Sequence, residues 1–340
     1  MTSKDPAFAL PLTTAPMEAR SITELPDGDI WQYEPKWDGF RCLAFKTGNT
    51  VDLRAKSGKP LARYFPEVVQ AVAAVPTDSF VADGEITIEI GGRLRFDALQ
   101  MRLHPAASRI AKLSAETPAK FVLFDLLALN SDILTGDPLS ERRLRLESWF
   151  AKWSNGNDRL DLSPCAVEPS QAGRWLAEAG DGRIDGVIVK DRTLPYLAGE
   201  RAMFKIKTLR TADCVVGGFR YQSDSPLVGS LLLGLYNSDG RLDHVGFTST
   251  ISNEQRPILT KRLEALSEPP GFTGKAPGGP SRWSTARSAD WKPLRPELVV
   301  EVRFDHVTGR RFRHGTKLVR WRPDKRPEQC TFDQMEQPKT

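Results

Sequence analysis

A lysine followed closely by an aspartate and a glycine is the first feature of this chain that suggests covalent chemistry. The segment is Lys36-Trp37-Asp38-Gly39, and Arg41 follows it. A lysine amine attacks an electrophile only after losing its proton, so Lys36 needs nearby cations or a dry pocket. In an extended segment Asp38 would lie on the same side as Lys36, and Gly39 would let the backbone approach a ligand. Taken alone, the pattern equally describes a surface turn.

Carboxylates beside glycines, and two alternating lysines, follow further along the chain. Asp83-Gly84-Glu85 and Asp185-Gly186 each place acidic oxygens next to a glycine, and one or two such carboxylates suffice to hold Mg²⁺. Lys205 and Lys207 are two residues apart, so both side chains leave one face of a strand. Each motif has an ordinary alternative: a strand-end turn for Asp-Gly, and an exposed, solubilising edge for Lys-x-Lys.

The order of these motifs is more specific than any one of them. Seven follow one another: Lys36-Trp37-Asp38-Gly39, Lys56-Ser57-Gly58, Asp83-Gly84-Glu85, Phe124-Asp125, Asp185-Gly186-Val187-Ile188-Val189-Lys190, Lys205-Ile206-Lys207 and Arg322-Pro323-Asp324-Lys325. Together they resemble the covalent nucleotidyltransferase superfamily of ATP-dependent DNA ligases, RNA ligases and mRNA capping enzymes. The sequences of residues 34–41, 63–67, 121–127 and 320–325 resemble those of the short bacterial ATP-dependent DNA ligases of the LigC type.

The resemblance implies a role for each matching residue. Lys36 would be the nucleophile that takes AMP from ATP, with Lys205 and Lys207 as catalytic cations. Asp185 and Glu85 would hold a divalent cation, Mg²⁺ with Mn²⁺ as an alternative. The residues that would bind the nucleotide are Glu34, Arg41, Lys56, Glu85, Phe124, Ile188, Lys190, Lys205, Lys207, Arg322 and Lys325.

Some of these positions are ambiguous on the residues alone. The resemblance places adenine between Phe124 and Ile188, but such residues in strands are usually core. Asp185 stands where many ligases have glutamate, and Lys56 stands where they have arginine. Because lysine lacks the planar fork of arginine, bidentate phosphate binding is lost at Lys56. Arg54, two residues earlier, is the alternative contact for ATP or for DNA.

Basic residues concentrate near the end of the chain. Residues 295–326 hold eight Arg and two Lys against two Glu and two Asp, within a chain whose net charge is +5. Arginine enrichment favours phosphate contacts. The run Arg310, Arg311, Phe312, Arg313 is therefore predicted to bind DNA, with Phe312 available for stacking. The alternative is a solvated basic face.

Composition limits where the protein works. The four cysteines are far apart and form no zinc-binding pattern, which favours reduced thiols. Because NAD-dependent ligases usually carry a zinc-binding cysteine cluster, the resemblance implies ATP as co-substrate. We see no secretory signal and no apolar run of membrane-spanning length. The expected setting is the bacterial cytoplasm, near the nucleoid, with no membrane partner.

Periodicity predicts an α+β fold in two domains. Strands are expected at 40–46, 50–55, 80–90, 120–129, 184–190, 203–207, 212–221, 230–236, 241–249 and 297–304, with helices at 66–75, 140–153 and 253–266. Ser140 is the predicted N-cap of the second helix. Residues 1–208 would form an adenylation (nucleotidyltransferase) domain of mixed and antiparallel sheets with helices, after an irregular lead-in. Residues 209–340 would form an OB-fold β-barrel, with a hinge at 208–211.

The function expected from the resemblance is ATP-dependent sealing of nicks. The reaction would join a 5′-phosphate to a 3′-hydroxyl in duplex DNA through lysyl-AMP and DNA-adenylate intermediates. We expect a monomer that acts on nicked duplex DNA in repair, together with repair proteins. The alternatives are an RNA ligase or a GTP-dependent capping-type enzyme, and, in another class, a nucleic-acid-binding protein without catalysis.

Overall fold

Two compact units make up the chain, Met1–Thr208 and Leu209–Thr340. The computed structural model describes residues 8–179, 183–207, 210–278 and 290–335. The predicted hinge includes Thr208 and Leu209, which lie outside the described residues. In the part of the chain that the structure describes, no helix is both long and apolar enough to cross a membrane.

The first unit contains two main sheets. The smaller has the strand order β1–β12–β11–β2, with β1 (Ala19–Ser21), β2 (Trp31–Pro35), β11 (Val187–Asp191) and β12 (Met203–Ile206). The larger has the order β10–β8–β5–β3–β4, with β9 beside β8; its strands are β3 (Phe40–Thr47), β4 (Thr50–Ala55), β5 (Ser79–Thr87), β8 (Lys120–Leu129), β9 (Asp132–Ile133) and β10 (Leu160–Leu162). A small hairpin pairs β6 (Glu89–Ile90) with β7 (Arg93–Leu94).

Among the described residues of the first unit, the α-helices that accompany these sheets are α1 (Pro66–Ala73), α2 (Phe96–Arg102), α3 (Ala107–Glu116), α4 (Leu139–Ala151) and α5 (Pro169–Glu178). Residues of α1, α2 and α4 share one core with the larger sheet. A second core joins residues of both sheets, including Phe45, Val81 and Met203. Ala172 of α5 packs with Val187 on the smaller sheet. Both sheets are therefore covered on two faces, which explains why eight consecutive residues of β8 are buried.

Strand register sets the side chains that the two sheets present. Lys205 on β12 lies opposite Ile188 on β11, and Ile188 lies opposite Glu34 on β2. These three residues form one row across the smaller sheet. In the larger sheet Arg41 on β3 lies opposite Glu85 on β5. Because directly opposite residues share a face of a sheet, each row presents its side chains together.

The second unit is an OB-like barrel. Its main sheet has the order β15–β14–β13–β17–β20, with β16 beside β13. The strands are β13 (Arg210–Tyr221), β14 (Val228–Tyr236), β15 (Leu242–Thr248), β16 (Lys292–Pro293), β17 (Val299–Phe304) and β20 (Lys317–Trp321). A bridge between Thr248 and Thr316 joins the two edges of the sheet. Helix α6 (Arg256–Glu264) adds Leu259 and Leu263 to the core, and β18 (Val307–Thr308) pairs with β19 (Arg311–Phe312).

The predicted fold class is confirmed, although some details are wrong. The hairpin predicted at 40–55 forms, but the lead-in contains β1, which pairs in parallel with β12. Ser140 is not an N-cap: α4 begins one residue earlier, after Pro138, and no side chain caps it. A proline just before the first turn sets the helix start by its fixed φ.

Candidate active site

Most of the predicted nucleotide-binding residues line one cavity of about 240 Å³ in the first unit. The predicted residues at this cavity are Glu34, Lys36, Arg41, Lys56, Glu85, Phe124, Ile188, Lys190 and Lys205. They come from β2, β3, β5, β8, β11 and β12 and from the segments that follow β2 and β4. A larger cavity of about 910 Å³ shares Arg41, Lys56 and Glu85 with the first.

The backbone of Lys36 is fixed from both sides. Its N–H donates to the carbonyl of Gly186 at 2.9 Å, and its carbonyl accepts the N–H of Asp185 at 2.7 Å. Gly186 has φ +139°, and a Cβ there would overlap the carbonyl oxygen of Ile206. Glycine is therefore required at the point that holds Lys36 in place. The indole of Trp37 donates to Ser163 Oγ at 2.9 Å and anchors the next residue.

A carboxylate, which the sequence argument assigned only to a metal, is the immediate partner of the Lys36 amine. Lys36 Nζ lies 2.7 Å from Asp185 Oδ2, and Lys207 Nζ lies 3.1 Å from the same oxygen. Burial raises the pKa of Asp185, but the two ammonium groups outweigh burial and lower it overall. Lys205 lies near the same group: burial, followed by the charges of Lys36 and Lys207, lowers the pKa of Lys205.

A buried ion pair lies at the cavity beside Ile188 and Phe124. Lys190 Nζ donates to Glu34 Oε1 at 2.7 Å, with side chains only 3% and 2% exposed. Gln32 Nε2 donates to the same oxygen at 2.8 Å. Lys190 Nζ also lies 4.6 Å from the centre of the Phe124 ring. Glu34 is therefore held as a fixed acceptor before any ligand enters.

Arg41 is held by a buried carboxylate that the sequence analysis did not single out. Its guanidinium makes two bonds to Asp83, at 2.6 and 2.7 Å, and Asp83 is fully buried. Tyr196 donates to Asp83 Oδ2 at 2.6 Å and accepts the N–H of Met17 at 2.9 Å. Arg41 also lies 4.4 Å from the Phe124 ring centre. These contacts fix Arg41 and Phe124 as one unit.

Glu85 lies inside β5, within the strand predicted at residues 80–90, so the alternative of a strand-end turn at Asp83-Gly84 does not apply. Burial raises its pKa to about 7, against the opposing charges of Arg41 and Lys36. Its Oε1 accepts the N–H of Gly39 at 3.1 Å. A Cβ at Gly39 would overlap the carbonyl oxygen of Ile86. Gly39 thus allows close approach of β5, whereas the sequence analysis expected a ligand there.

Lys56, not Arg54, lies at the cavity. Arg54 makes two bonds to Asp52, at 2.7 and 2.9 Å. Lys56 Nζ lies 3.0 Å from Glu18 Oε2, and Glu18 lines the same cavity. Of the two candidates for a phosphate contact, the structure thus places Lys56 at the cavity and Arg54 on Asp52.

Arg322 and Lys325 lie in the second unit on one carboxylate. Arg322 Nη1 is 2.9 Å and Lys325 Nζ 2.7 Å from the carboxylate oxygens of Asp213. Arg322 also pairs with Asp324 at 2.9 Å. The side chain of Gln334 holds the backbone of Asp213: its Oε1 accepts the N–H at 2.8 Å, and its Nε2 donates to the carbonyl at 3.0 Å.

The predicted DNA-binding run is only partly available for nucleic acid. Arg310 stacks 3.9 Å from the Phe332 ring centre, and Arg311 Nη2 lies 2.9 Å from His244 Nδ1. Phe312 is buried in the barrel core, so the expectation that it stacks on bases is wrong. Arg310 and Arg311 are exposed, and Arg313 is half-buried.

The residues present fit a cation held mainly by its substrate. In the described ranges no three His, Cys, Asp or Glu side chains converge as a ready-made metal site. Mg²⁺ in phosphate-transfer sites is typically bound by one or two carboxylates together with substrate phosphates and water. Asp185, beside Lys36, and Glu85, at the cavity, supply a donor set of that size.

Sequence reasoning missed four residues that support the site: Asp83, Tyr196, Gln32 and Asp213. Asp83 belongs to the Asp83-Gly84-Glu85 motif, and its strand pairs with the strand that carries Arg41. Gln32 is two residues before Glu34 and so shares its strand face. Tyr196 and Asp213 had no local signal, because their partners are more than 100 residues away in the sequence.

Comparison with known proteins matches each of the two units to a family of ATP-dependent DNA ligase domains. The family described as "ATP dependent DNA ligase domain" matches residues 15–207, and "ATP dependent DNA ligase C terminal region" matches residues 224–325. DNA ligase C2 of Mycolicibacterium smegmatis is 44% identical over 95% of this chain and 94% of its own length. DNA ligase C of Mycobacterium tuberculosis is 42% identical over 96% and 94%.

Solved structures of DNA ligases are also similar to this chain. The ligase domain of M. tuberculosis LigD is 28% identical with a TM-score of 0.50, covering 94% of this chain and 98% of that one. A mycobacterial DNA ligase D complexed with ATP and MES is 27% identical with the same TM-score and coverage. Motif order, cavity and relatives converge: the chain belongs to the ATP-dependent DNA ligase family, among its short bacterial LigC-type members.

Proposed function

We propose that Lys36 is the residue that carries AMP while this ATP-dependent DNA ligase seals nicks. One observation supports the assignment above all others: Lys36 lies at a cavity that also holds Glu34, Phe124 and Lys205, with its backbone bonded on both sides. A nucleophile held in this way meets a bound phosphate with little loss of orientational freedom. Reacting groups positioned in advance can account for much of a rate enhancement.

In the first step Lys36 Nζ attacks the α-phosphorus of ATP. A nitrogen–phosphorus bond forms, the bond to the bridging oxygen breaks, and pyrophosphate leaves with the electron pair. The amine must lose a proton, for which Asp185 Oδ2 is an acceptor at 2.7 Å. Lys205 and Lys207 would stabilise the charge that develops on the phosphate oxygens. Arg322 and Lys325 would orient pyrophosphate.

In the later steps AMP moves to DNA and then leaves. The 5′-phosphate oxygen at the nick attacks the phosphorus of lysyl-AMP and frees the Lys36 amine. The 3′-hydroxyl then attacks the 5′-phosphorus, a phosphodiester forms, and AMP departs. We assign nicked DNA to the larger cavity, because it shares Arg41, Lys56 and Glu85 with the nucleotide cavity and carries Lys59 and Arg63. Arg54, Arg310, Arg311 and Arg313 are proposed as further DNA contacts.

The proposal includes Mg²⁺, with Mn²⁺ as the alternative. Asp185 and Glu85 would hold the ion, which would neutralise phosphate charge. Adenine would contact Phe124 and Ile188, with Glu34 and Lys190 at its edge. We also propose that the protein acts as a monomer. We propose a role in DNA repair as well, and the sensitivity of a deletion strain to DNA damage tests that role.

Labelling with nucleotide tests the proposal. Purified protein incubated with α-labelled ATP should become labelled, Lys36→Ala should not, and α-labelled GTP should label neither. Lys112→Ala is the matched control, because Lys112 is an exposed lysine on α3 that lies 3.7 Å from Glu116 and lines neither of the two cavities. Equal labelling of Lys36→Ala and the control would contradict the assignment, and labelling by GTP would favour a capping-type enzyme.

A further inference from the structure

Glu18 places a carboxylate among cations at the nucleotide cavity. Its Oε2 lies 3.0 Å from Lys56 Nζ and 3.7 Å from Arg201 Nε. The Glu18 side chain is 28% exposed and lines the cavity. The hydrogen bond from Lys56, with the charges of Lys56, Arg201 and Lys205, lowers the pKa of Glu18 against a smaller effect of burial. The group is therefore an anion at neutral pH.

The backbone fixes Glu18 in the wall of the cavity. Its N–H donates to the carbonyl of Glu200 at 2.7 Å, and its carbonyl accepts the N–H of Met203 at 3.1 Å. Strand β1 begins at the next residue and runs beside β12, which carries Lys205. Glu18 cannot leave by moving the main chain without breaking these bonds. Only its side chain can turn away.

A phosphate and the Glu18 carboxylate require the same partners. Lysine and arginine bind phosphate oxygens through the same type of charge-assisted hydrogen bond that they make to carboxylate oxygens. A phosphate beside Lys56 and Lys205 must therefore displace the Glu18 carboxylate or share its cations. If it shares them, two anions lie close together and repel each other.

We propose that Lys56, Arg201 and Lys205 form a phosphate subsite, that Glu18 occupies it in the ligand-free protein, and that Glu18 thereby weakens phosphate binding. The inference rests on the proposed function only for the location of the phosphates. It adds Arg201 to the site and makes Glu18 an internal competitor. Two phosphates fit this chemistry: the pyrophosphate part of ATP and the 5′-phosphate of the nick.

The sign of one substitution separates competition from a supporting role. If Glu18 competes, Glu18→Gln removes the competing charge and phosphate binds more tightly. If Glu18 merely holds the lysine and arginine in place, the same change lets them move and phosphate binds more weakly. Glu200→Gln is the matched control, because Glu200 is exposed, is next to Arg201, and contacts Glu18 through its backbone carbonyl.

The experiment measures binding by the full chain after removal of any bound AMP. One arm measures the Kd of inorganic pyrophosphate. The other compares nicked DNA bearing a 5′-phosphate with nicked DNA bearing a 5′-hydroxyl. For Glu18→Gln we expect roughly three- to fivefold tighter phosphate binding, the range for a partly exposed ion pair. The gain should shrink at high salt, and Arg201→Ala should reduce it in the double variant.

Each outcome decides. Tighter pyrophosphate binding alone assigns the subsite to ATP, and a larger 5′-phosphate preference alone assigns it to DNA. No change, weaker binding, or an equal gain in Glu200→Gln overturns the proposal. Neither arm requires attack by Lys36. A protein that binds phosphate as expected but forms no adduct would refute the proposed function and leave this inference standing.

Discussion

The nucleotide cavity of the first unit and the Arg322–Lys325 segment of the second both pair cations with carboxylates, but in different environments. Lys190 and Glu34 are 3% and 2% exposed and are bonded to each other, and Gln32 also donates to Glu34. Arg322 and Lys325 are 19% and 23% exposed and share Asp213. Separating a fully buried pair leaves a desolvated charge, whereas Arg322 and Lys325 are half-buried and keep contact with solvent. We therefore expect the Glu34–Lys190 pair to stay fixed when ATP binds, and Arg322 and Lys325 to exchange Asp213 for other anions more readily.

Breaking the buried pair should have the largest effect. Lys190→Met keeps the size of the side chain but leaves the buried Glu34 carboxylate with Gln32 as its remaining donor among the described residues. We expect a loss of about 3–5 kcal/mol in the free energy of unfolding, the usual result of leaving one charge unpaired. Urea unfolding measures it. Lys325→Ala is the control in the second unit and should lose about 1 kcal/mol or less. Equal losses would remove the distinction between the two regions.

The pH dependence of stability sharpens the description of the cavity. Glu85 has a folded pKa of about 7 against an ordinary value of 4.5. Between these values the unfolded chain loses the proton first, so the free energy of unfolding falls as pH rises. At about 1.4 kcal/mol per pKa unit, Glu85 destabilises the fold by up to about 3 kcal/mol above pH 7.

Glu85→Gln should remove this component. With a chelator present, the variant should be more stable than the original protein at pH 8, and equally stable at pH 4. Asp97→Asn is a control carboxyl whose pKa is lowered by its bond to Arg95. If the original protein and Glu85→Gln show the same pH dependence, Glu85 is ionised in the fold at ordinary pH and the burial argument fails.

The Arg322–Lys325 segment should act in one step of the reaction. Arg322→Ala should slow transfer of AMP from ATP to the protein by roughly a hundredfold, the usual scale for one lost charge-stabilising donor. Sealing of DNA that already carries AMP needs no pyrophosphate to be oriented and should stay within about twofold. Single-turnover assays on both substrates measure the two steps, with exposed Arg326→Ala as the control. Equal loss in both would mean that Arg322 serves DNA binding instead.

The sequence was sufficient for the motif-bearing strands, because each motif is short and lies within one element. Lys205, Ile188 and Glu34 were identified separately, and sheet register places them in one row. Local patterns did not reveal α2 or α3, which begin after Arg95 and Ala106 with no side-chain cap. Both are short, at seven and ten residues, and such helices depend on tertiary packing for most of their stability.

The pairing of charges could not be predicted, because it depends on contacts between distant strands. Lys36 was expected among cations, yet its amine contacts Asp185, 149 residues away. Asp83 with Arg41 and Asp213 with Arg322 are further pairs set by the fold. Types and spacing identified the groups that can react, and register decided which of them meet.

Mapping the bound nucleotide by mass spectrometry tests the central claim most directly. Protein incubated with ATP and Mg²⁺ would be digested and its peptides sequenced. The account predicts one AMP, attached to Nζ of Lys36 and removed by added pyrophosphate. An AMP on Lys56, Lys190, Lys205 or Lys207, or an adduct that pyrophosphate cannot reverse, would contradict it.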